Sequence, residues 1–388
     1  MAQRPFAFGP VDESSEQQLA RCLERGGEGA RGVLCADHHK GYSMPIGGVL
    51  ALQSVVMPAG VGYDIACGNC AVRTNLSVQE MRSDVPPIMD EIWRTISFGV
   101  GRTNDEPIAQ HPVFDAIQRS PVGWQRSMLP MARAQLGTVG SGNHYVDLFE
   151  HGSDGTLWVG VHFGSRGFGH RTACGFLALA EGKPRDARVN HSMDAPPVTI
   201  PLGTPLADDY LAAMSVAGEY AYAGREWVID RVLKILGAED TFRVHNHHNY
   251  AWWEEHHGEK WLVVRKGATP AFPGQYGFVG GSMGDDAVII RGRDTDTSKR
   301  ALYSTVHGAG RVMGRREAKR RVDWPAWRAR LRDEHIELRG GGADESPECY
   351  KRLADVLAHH GRTIEVLHTL RPIGVAMAGR DTFDPYRD

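Results

Sequence analysis

The sequence predicts a mixed α+β fold in a single catalytic domain over residues 1–388. Three observations carry this prediction: many short apolar runs bounded by glycines, few long helical patterns, and a globular composition with 41% hydrophobic and 23% charged residues. A chain of 388 residues is long enough to bury a sizeable core, and no low-complexity tract or convincing linker divides it. The composition excludes disordered, collagen-like and coiled-coil classes.

The charge balance and cysteine usage restrict the class of protein further. Lysine and arginine total 44 against 47 acidic residues, a net charge of −3, so binding of a polyanion needs a local basic patch. The sequence opens without a signal-peptide core and lacks any run of roughly 18 apolar residues, so we expect a cytoplasmic protein with no membrane span. In that reducing setting, six cysteines favour a metal or catalytic role over a disulfide framework.

Short β-strands supply most of the predicted secondary structure, after a polar helix over Glu16–Arg25. Residues Asp37 to Lys40 are assigned to the loop between the first two strands. The predicted strands are Gly32–Cys35, Gly47–Leu52, Cys70–Asn75, Tyr145–Phe149, Trp158–Phe163, Lys260–Val264, Ala287–Arg291 and Ile373–Ala376.

The second half of the chain carries the clearest helical pattern. The proline-rich segment 183–208 is expected to be a surface loop that leads into a long helix over Asp209–Leu236. A basic helix over Arg315–Arg332 is expected to start, kink or end at Pro325. The remaining predictions are a helix that opens at Pro347 and runs to about His360, and a C-terminal tail over 380–388.

Two glycine-rich turns carry residues with the chemistry of metal ligands. In the first, Asp64 and Cys67 lie three residues apart, a spacing that allows a carboxylate and a thiol to bind one ion. A four-cysteine zinc ribbon is excluded because no second Cys-x-x-Cys exists, and a tight turn with a buried cysteine is the alternative. In the second, glycines from Gly137 let backbone N–H groups converge on an anion beside His144, with an ordinary glycine turn as the alternative.

Histidines near strand ends are further candidates. His162 ends an apolar strand, and the loop after it carries Arg166 and Arg171, whose planar guanidinium groups suit phosphate oxygens. The alternative for His162 is a strand-end imidazole bonded to a carbonyl. Between Val244 and Tyr250, three histidines occur in four residues. Alternate residues of an extended chain face opposite sides, so one ligand is expected from this run, and the pattern does not choose which.

His307 is the candidate nucleophile. It precedes small residues that would let a large group approach its ring, and neutral imidazole attacks phosphorus. Downstream, nine basic residues from Arg311 to Arg332 face only Glu317 and Asp323. This segment is the local basic patch that a polyanion requires, with a solvated helix face as the alternative.

Seven motifs in series resemble the RtcB family of RNA ligases. The resemblance spans about Asp37 to Gly379. The motifs are Asp64-x-x-Cys67, Gly-Ser-Gly-Asn143-His144, His162-x-Gly-Ser-Arg166-Gly, His248-Asn249-Tyr250, Arg265-Lys266-Gly267-Ala268, Gly281-Ser282-Met283-Gly284 and His307-Gly-Ala-Gly-Arg311.

The resemblance implies an activity and a metal centre. The family joins RNA ends bearing a 2′,3′-cyclic phosphate or a 3′-phosphate to 5′-hydroxyl ends, using GTP and manganese, and its fold is one domain of paired β-sheets flanked by helices. It implies that His307 carries GMP. It also selects His248, which directly precedes Asn-Tyr, from the histidine run. The implied metal ligands are Cys67 as a bridge between two Mn²⁺ ions, His162 and His248 in one site, and Asp64 and His144 in the other.

The resemblance also implies contacts with substrates. The positions that align with guanosine nucleotide contacts are Asn143, Tyr145, Asp147, Ser282, Ala309, Gly310 and Tyr350. The candidate RNA or phosphate contacts are Arg166, Arg171 and Arg311, and an activator of the archease type is a candidate partner. Met377 stands where family members commonly carry a lysine that contacts guanine. We therefore predict a weaker preference for GTP over ATP.

Two other classes of function compete with the ligase. One keeps the metals but only hydrolyses RNA ends, as a cyclic phosphodiesterase or phosphatase; the other is a non-catalytic RNA-binding module that uses the basic segment. The intact run from His307 to Arg311 favours the ligase, and five candidate ligands beside a nucleophile argue against the binding module. The mixed Cys, His and Asp donor set does not itself select manganese, because zinc or iron would be equally natural.

Overall fold

A computed structural model of the protein describes residues 5–189 and 192–379, and these form an α+β fold with several sheets and helices, as predicted. The predicted tail over 380–388 lies outside the described residues. The strands are β1 Phe6–Ala7, β2 Arg31–His39, β3 Ile46–Leu52, β4 Val55–Val56, β5 Gly68–Ser77, β6 Tyr145–His151, β7 Thr156–Phe163, β8 Ile200–Pro201, β9 Asp240–His247, β10 Asn249–His256, β11 Glu259–Lys266, β12 Ala268–Pro270, β13 Tyr276–Val279, β14 Ala287–Gly292, β15 Ser304–Val306, β16 Glu337–Gly340 and β17 Ile364–Met377.

Helices connect and flank these strands. They are α1 Glu13–Gly26, α2 Pro58–Val61, α3 Val78–Met81, α4 Val85–Thr95, α5 Pro112–Arg119, α6 Gly123–Arg126, α7 Leu129–Gln135, α8 Arg166–Ala180, α9 Pro205–Leu236, α10 Asp296–Arg300, α11 Arg315–Arg321, α12 Trp324–Asp333 and α13 Leu353–Ala358. Short 3₁₀ helices cover Arg82–Asp84, Ala343–Glu345 and Pro347–Cys349. Within the described residues, no helix combines the length and the apolar character that crossing a membrane requires.

Two large sheets organise the chain. One has five strands in the order β1-β2-β3-β11-β10. The other has eight, in the order β13-β14-β17-β6-β7-β5-β9, with β16 added beside β17. One apolar cluster contains residues of both sheets, among them Val33 and Val263 from the first and Val279 and Ile290 from the second. Burial of these branched side chains packs the sheets together.

The long helix α9 packs against one face of the larger sheet. The Thr204 hydroxyl accepts from the backbone N–H of Ala207 at its start, and Gly237 ends it in a left-handed conformation with φ of 63°. Val228 and Val232 of α9 pack in one buried cluster with strand residues such as Val159. The helix is therefore anchored along its last turns against the strands whose ends carry the candidate ligands.

Two predicted boundaries in the first half of the chain are wrong. Asp37, His38 and His39 are not in a loop: they continue β2, whose register shifts between Leu34 and His39 before pairing resumes. Because of that irregularity, the residues after Leu34 do not show the alternation of apolar and polar residues that a regular strand has. The first helix begins at Glu13, because the Asp12 side chain caps it through the Ser15 N–H.

The other corrections concern helices. Segment 183–208 is a loop only in part: within its described residues, β8 pairs with β4, and α9 begins at Pro205 rather than at residue 209. The predicted basic segment is two helices, and the expectation for Pro325 is confirmed in its first form, since Pro325 lies in the first turn of α12, which Asp323 caps. The helix predicted from Pro347 is wrong over its first half, since Tyr350 is extended and forms a bridge with Arg311, and α13 is shorter than predicted.

Candidate active site

Antiparallel pairing collects the five predicted metal ligands at one edge of the eight-stranded sheet. β6, β7, β5 and β9 are neighbours in that order, and each pair is antiparallel. The beginnings of β5 and β6 therefore lie beside the ends of β7 and β9. Cys67 and His144 immediately precede β5 and β6, His162 is close to the end of β7, and His248 follows β9. Asp64 lies in the turn that leads into β5.

The first group of ligand atoms consists of Cys67, His162 and His248, all buried. His162 Nε2 lies 3.3 Å from Cys67 Sγ and 3.3 Å from His248 Nε2. The Asn143 carbonyl lies 2.8 Å from His162 Nδ1 and accepts a hydrogen bond from it. The lone pair of Nε2 is therefore directed at the other two ligand atoms of the group. The sequence pattern left the histidine run open, and His248 is the one that the structure places here.

The second group shares Cys67 with the first and adds Asp64 and His144. His144 Nε2 lies 3.2 Å from Asp64 Oδ2 and 3.6 Å from Cys67 Sγ. Burial by itself raises the pKa of Asp64, but the His144 hydrogen bond and the charges of His144 and Arg166 lower it below the usual value. The carboxylate is thus ionised near neutral pH.

This donor set fits a pair of divalent cations. Three imidazole nitrogens, one thiol and one carboxylate form two groups of three ligand atoms that share Cys67, and the atoms of each group lie within 4.8 Å of one another. Burial, together with the Asp64 carboxylate, raises the pKa of the Cys67 thiol well above its usual value. A cation beside the sulfur would supply the charge that favours the thiolate in this buried position.

His307 lies next to the first group and is held by Asp37. Its ring centroid is 5.0 Å from that of His248. Asp37 Oδ2 accepts from His307 Nδ1 at 2.6 Å and from the His307 backbone N–H at 2.9 Å. Burial raises the pKa of Asp37, but the interactions with His307 outweigh this and lower it. Sequence patterns gave Asp37 no role, because the two residues are 270 positions apart.

All seven positions predicted to contact a nucleotide line one cleft of about 190 Å³, and His162, His307 and Met377 line it too. Two of them present unsatisfied polar atoms. The Tyr145 hydroxyl and Asp147 Oδ1 are buried without a hydrogen-bond partner among the described residues. Burial without a neighbouring cation raises the pKa of Asp147 well above its usual value. Buried polar atoms of this kind require a partner, which a bound ligand or an ordered water supplies.

Met377 lies beside these atoms through the pairing of β17 with β6. It is directly opposite Tyr145 in the register, and Val375 is opposite Asp147. Because side chains two residues apart share a face, Met377 and Asp147 are diagonal neighbours on one face of the sheet. The position that the resemblance associates with a lysine therefore carries a buried thioether on the wall of the cleft.

The three predicted phosphate-binding arginines have different environments. Arg166 donates to the Gly99 carbonyl at 2.7 Å and to Thr138 Oγ1 at 3.1 Å, so it supports the glycine-rich loop before His144. Arg311 donates to the Tyr350 hydroxyl and to the Asp344 carbonyl and lines the cleft. Arg171 is exposed on α8 and lines neither this cleft nor the groove beside it.

A second, larger cavity of about 1280 Å³ adjoins the cleft, and His39, Ile46, Arg311 and Arg315 line both. Its cationic lining comes from the predicted basic segment, the start of α13 and the end of β2. The basic side chains on its wall are Lys40, Arg311, Arg315, Arg316, Arg320, Lys351 and Arg352, against the acidic Asp12, Glu317 and Asp355. The groove is therefore a cationic extension of the cleft.

Comparison with known proteins identifies the family of this chain. The sequence model of a family described as "tRNA-splicing ligase RtcB" matches residues 29–378. The chain is 30% identical over 396 residues to "RNA-splicing ligase RtcB" of Escherichia coli strain K12, with 94% of each chain covered. It is 29% identical over 442 residues to "tRNA-splicing ligase RtcB" of Archaeoglobus fulgidus, with 94% of this chain and 91% of the relative covered. It is 31% identical over 425 residues to the protein of the same name from Pyrobaculum aerophilum, with 88% and 87% covered. These matches run through every element that carries a candidate ligand, the His307 loop and the cleft, and the chain belongs to the RtcB family.

Proposed function

We propose that this protein is a GTP- and Mn²⁺-dependent RNA ligase that joins 2′,3′-cyclic phosphate or 3′-phosphate ends to 5′-hydroxyl ends through a guanylylated His307. One observation carries the proposal: a single cleft unites His307, a ligand of the first metal group and all seven predicted nucleotide contacts. The names of the relatives support RNA splicing as the setting, and repair of broken RNA is the related role.

The metal centre is proposed to hold two Mn²⁺ ions. Cys67, His162 and His248 would hold one, and Asp64, Cys67 and His144 the other. Bound there, the ions would neutralise charge on phosphate oxygens beside His307. The choice of manganese rests on membership of the family rather than on the donor set.

His307 is proposed to attack the α-phosphorus of GTP. Asp37 accepts a hydrogen bond from Nδ1–H, so the proton stays on Nδ1. The Nε2 lone pair is then free to form the nitrogen–phosphorus bond while the bond to pyrophosphate breaks. A 3′-phosphate of RNA, formed by hydrolysis of a cyclic end where necessary, then takes the GMP from His307. Attack by a 5′-hydroxyl joins the ends and releases GMP.

The nucleotide is proposed to occupy the cleft between β6 and the loop after His307. Asn143, Tyr145 and Asp147 come from β6 and its approach. Ser282, Ala309, Gly310 and Tyr350 line the cleft from other parts of the chain. Met377 on the wall of the cleft offers a base neither a charge nor a hydrogen-bond donor, and the lysine common at this position in the family would offer both. This supports the predicted weaker preference for GTP over ATP.

RNA is proposed to reach the cleft along the cationic groove. Arg311 lines both cavities, and the exposed side chains of Arg316 and Arg320 extend the positive charge away from His307. Arg166 would act on phosphate only through its support of the glycine-rich loop before His144, and Arg171 only through long-range charge. We further propose that residues 1–388 form one catalytic domain with the family's paired sheets, in the cytoplasm, and that an archease-type protein activates it.

A ligation assay tests this function against hydrolysis alone. Two synthetic RNAs, one ending in a 2′,3′-cyclic phosphate and one beginning with a 5′-hydroxyl, are incubated with the protein, MnCl₂ and GTP, beside His307→Ala. The ligase proposal predicts a joined product that requires nucleotide and His307. Conversion of the cyclic end to a 3′-phosphate without a joined product, even with ATP or an added archease-type protein, would identify the hydrolase instead.

A further inference from the structure

Arg225 of α9 is a buried cation whose hydrogen bonds reach two strands and the turn that precedes a third. The side chain is fully buried. Its Nη1 donates to the Ala66 carbonyl at 2.9 Å and to the Phe163 carbonyl at 2.7 Å. Its Nη2 lies 3.0 Å from His247 Nδ1, and Nε donates to His245 Nε2 at 2.8 Å. One guanidinium thus ties the approach to β5, the end of β7 and the end of β9 to the long helix.

The bonded residues have a common relation to the first metal group. Ala66 directly precedes Cys67, and Phe163 directly follows His162. His247 directly precedes His248. Every ligand of that group is therefore covalently next to a partner of Arg225. Neither Asp64 nor His144 has this relation to the described hydrogen bonds of Arg225.

We propose that Arg225 is a positioning residue that fixes the spacing of Cys67, His162 and His248, so that the first group is shaped for a divalent cation before one binds. The inference rests on the proposed function for the presence of metal there. Only arginine presents several N–H donors in a rigid planar fork, and a lysine ammonium at the end of a flexible chain would not hold the same partners in the same plane.

Because Arg225 is positively charged, a positioning role and a purely electrostatic role predict opposite changes in metal affinity when it is replaced. A buried cation repels a metal ion nearby, so electrostatics alone would make removal of the charge strengthen metal binding. Positioning predicts the opposite, because the backbone on both sides of the ligands loses its shared anchor. Outer residues that orient metal ligands typically change affinity about 10-fold to 100-fold when replaced.

The test measures Mn²⁺ binding to metal-free protein by isothermal titration calorimetry and by the electron paramagnetic resonance signal of free Mn²⁺. The variants are Arg225→Met, Arg225→Lys and His247→Phe, the last of which removes one acceptor and leaves the arginine in place. Arg265→Lys is the matched control. Arg265 is also fully buried, and it donates to the Leu302 carbonyl, to the Ser304 hydroxyl and to the Glu254 carboxylate, but no metal ligand is next to it in the sequence. Thermal unfolding of each variant is recorded beside the titration.

We expect Arg225→Met and Arg225→Lys to weaken one of two Mn²⁺ binding events by about 10-fold to 100-fold and to affect the other less, because the two groups have only Cys67 in common. We expect about a fivefold effect in His247→Phe, which keeps the test available if the arginine variants do not fold. Arg265→Lys should lose thermal stability without losing affinity. Unchanged or tighter binding in folded Arg225 and His247 variants overturns the positioning role alone, whereas a wild-type protein that binds no Mn²⁺ overturns the proposed metal centre as well.

Discussion

At the scale of the residue, the state of the candidate nucleophile depends on Asp37. Its Oδ2 atom accepts from both the ring Nδ1 and the backbone N–H of His307, so the proton is kept on Nδ1 and the reactive lone pair on Nε2. The pKa of Asp37 is lowered despite its burial, so the carboxylate stays ionised at the pH where the ligase would work. Asp37 thereby links β2 of the smaller sheet to the chemistry at the edge of the larger one.

The variant Asp37→Asn tests this tautomer. An amide can present its NH₂ to Nδ1 and so favour the tautomer with the proton on Nε2, which cannot attack phosphorus. We expect the rate of His307 guanylylation to fall about 100-fold or more while Mn²⁺ binding is kept. Asp154→Asn is the matched control, because Asp154 holds His151 through an equivalent 2.7 Å contact outside the cleft. A guanylylation rate in Asp37→Asn equal to that of the control would contradict the assignment.

At the scale of the element, the loop after β15 is shaped by close approach to β2. Gly310 has a positive φ of 80°, and a side chain there would lie 2.2 Å from the Asp37 carbonyl oxygen. The loop therefore needs glycine both for its backbone conformation and for its packing. This contact sets the position of His307 relative to Asp37 and to the cleft.

Gly310→Ala should consequently separate nucleotide chemistry from metal binding. The added methyl group pushes the loop away from β2, so guanylylation should fall at least about tenfold, a change of about 1.4 kcal/mol in the barrier. Mn²⁺ affinity should be unchanged, because the ligands lie on other elements. Gly314→Ala provides the comparison, since a side chain at Gly314 meets nothing within 4 Å. Loss of activity in both variants, or in neither, would show that close packing at Gly310 is not the cause.

The site was more predictable from the sequence than the elements around it. Motif residues such as Cys67 and His162 sit beside glycines and at strand ends, where short patterns are informative. Arg225 was missed although it carried a signal: it falls in the apolar face of α9 between Ala221 and Val228, where a charged residue needs partners. Asp37 was missed because no local pattern reports a contact across 270 residues, and the irregular register of β2 concealed its strand.

At the scale of the whole molecule, buried histidines make the stability of the fold depend on pH. Burial depresses the pKa of His162 to about 3 and those of His39 and His360 to about 4. Below the ordinary histidine value of about 6.5, the unfolded chain binds protons that the folded protein excludes. Their contribution to stability is therefore complete above that pH and is lost as the pH falls toward the folded values.

The free energy of unfolding of metal-free protein should fall from pH 6.5 to pH 4.5, because the three histidines outweigh the opposite contribution of Asp147, whose raised pKa lets the folded protein take up a proton as the pH falls. The limiting slope is about 1.4 kcal/mol per pH unit for each histidine involved. Urea titrations followed by tryptophan fluorescence would measure it, with EDTA present so that metal binding does not contribute. A free energy that stays constant across this range would mean that these imidazoles are not buried in their neutral form.

The most direct test of the central claim is covalent labelling of the protein by GTP. Protein, MnCl₂ and GTP radiolabelled at the α-phosphate are mixed, denatured and separated on a gel, beside His307→Ala and a parallel reaction with labelled ATP. The account predicts an acid-labile, alkali-stable label that requires His307, with ATP also productive because Met377 replaces a cation. A label that persists in His307→Ala, or the absence of any label with either nucleotide, would contradict it.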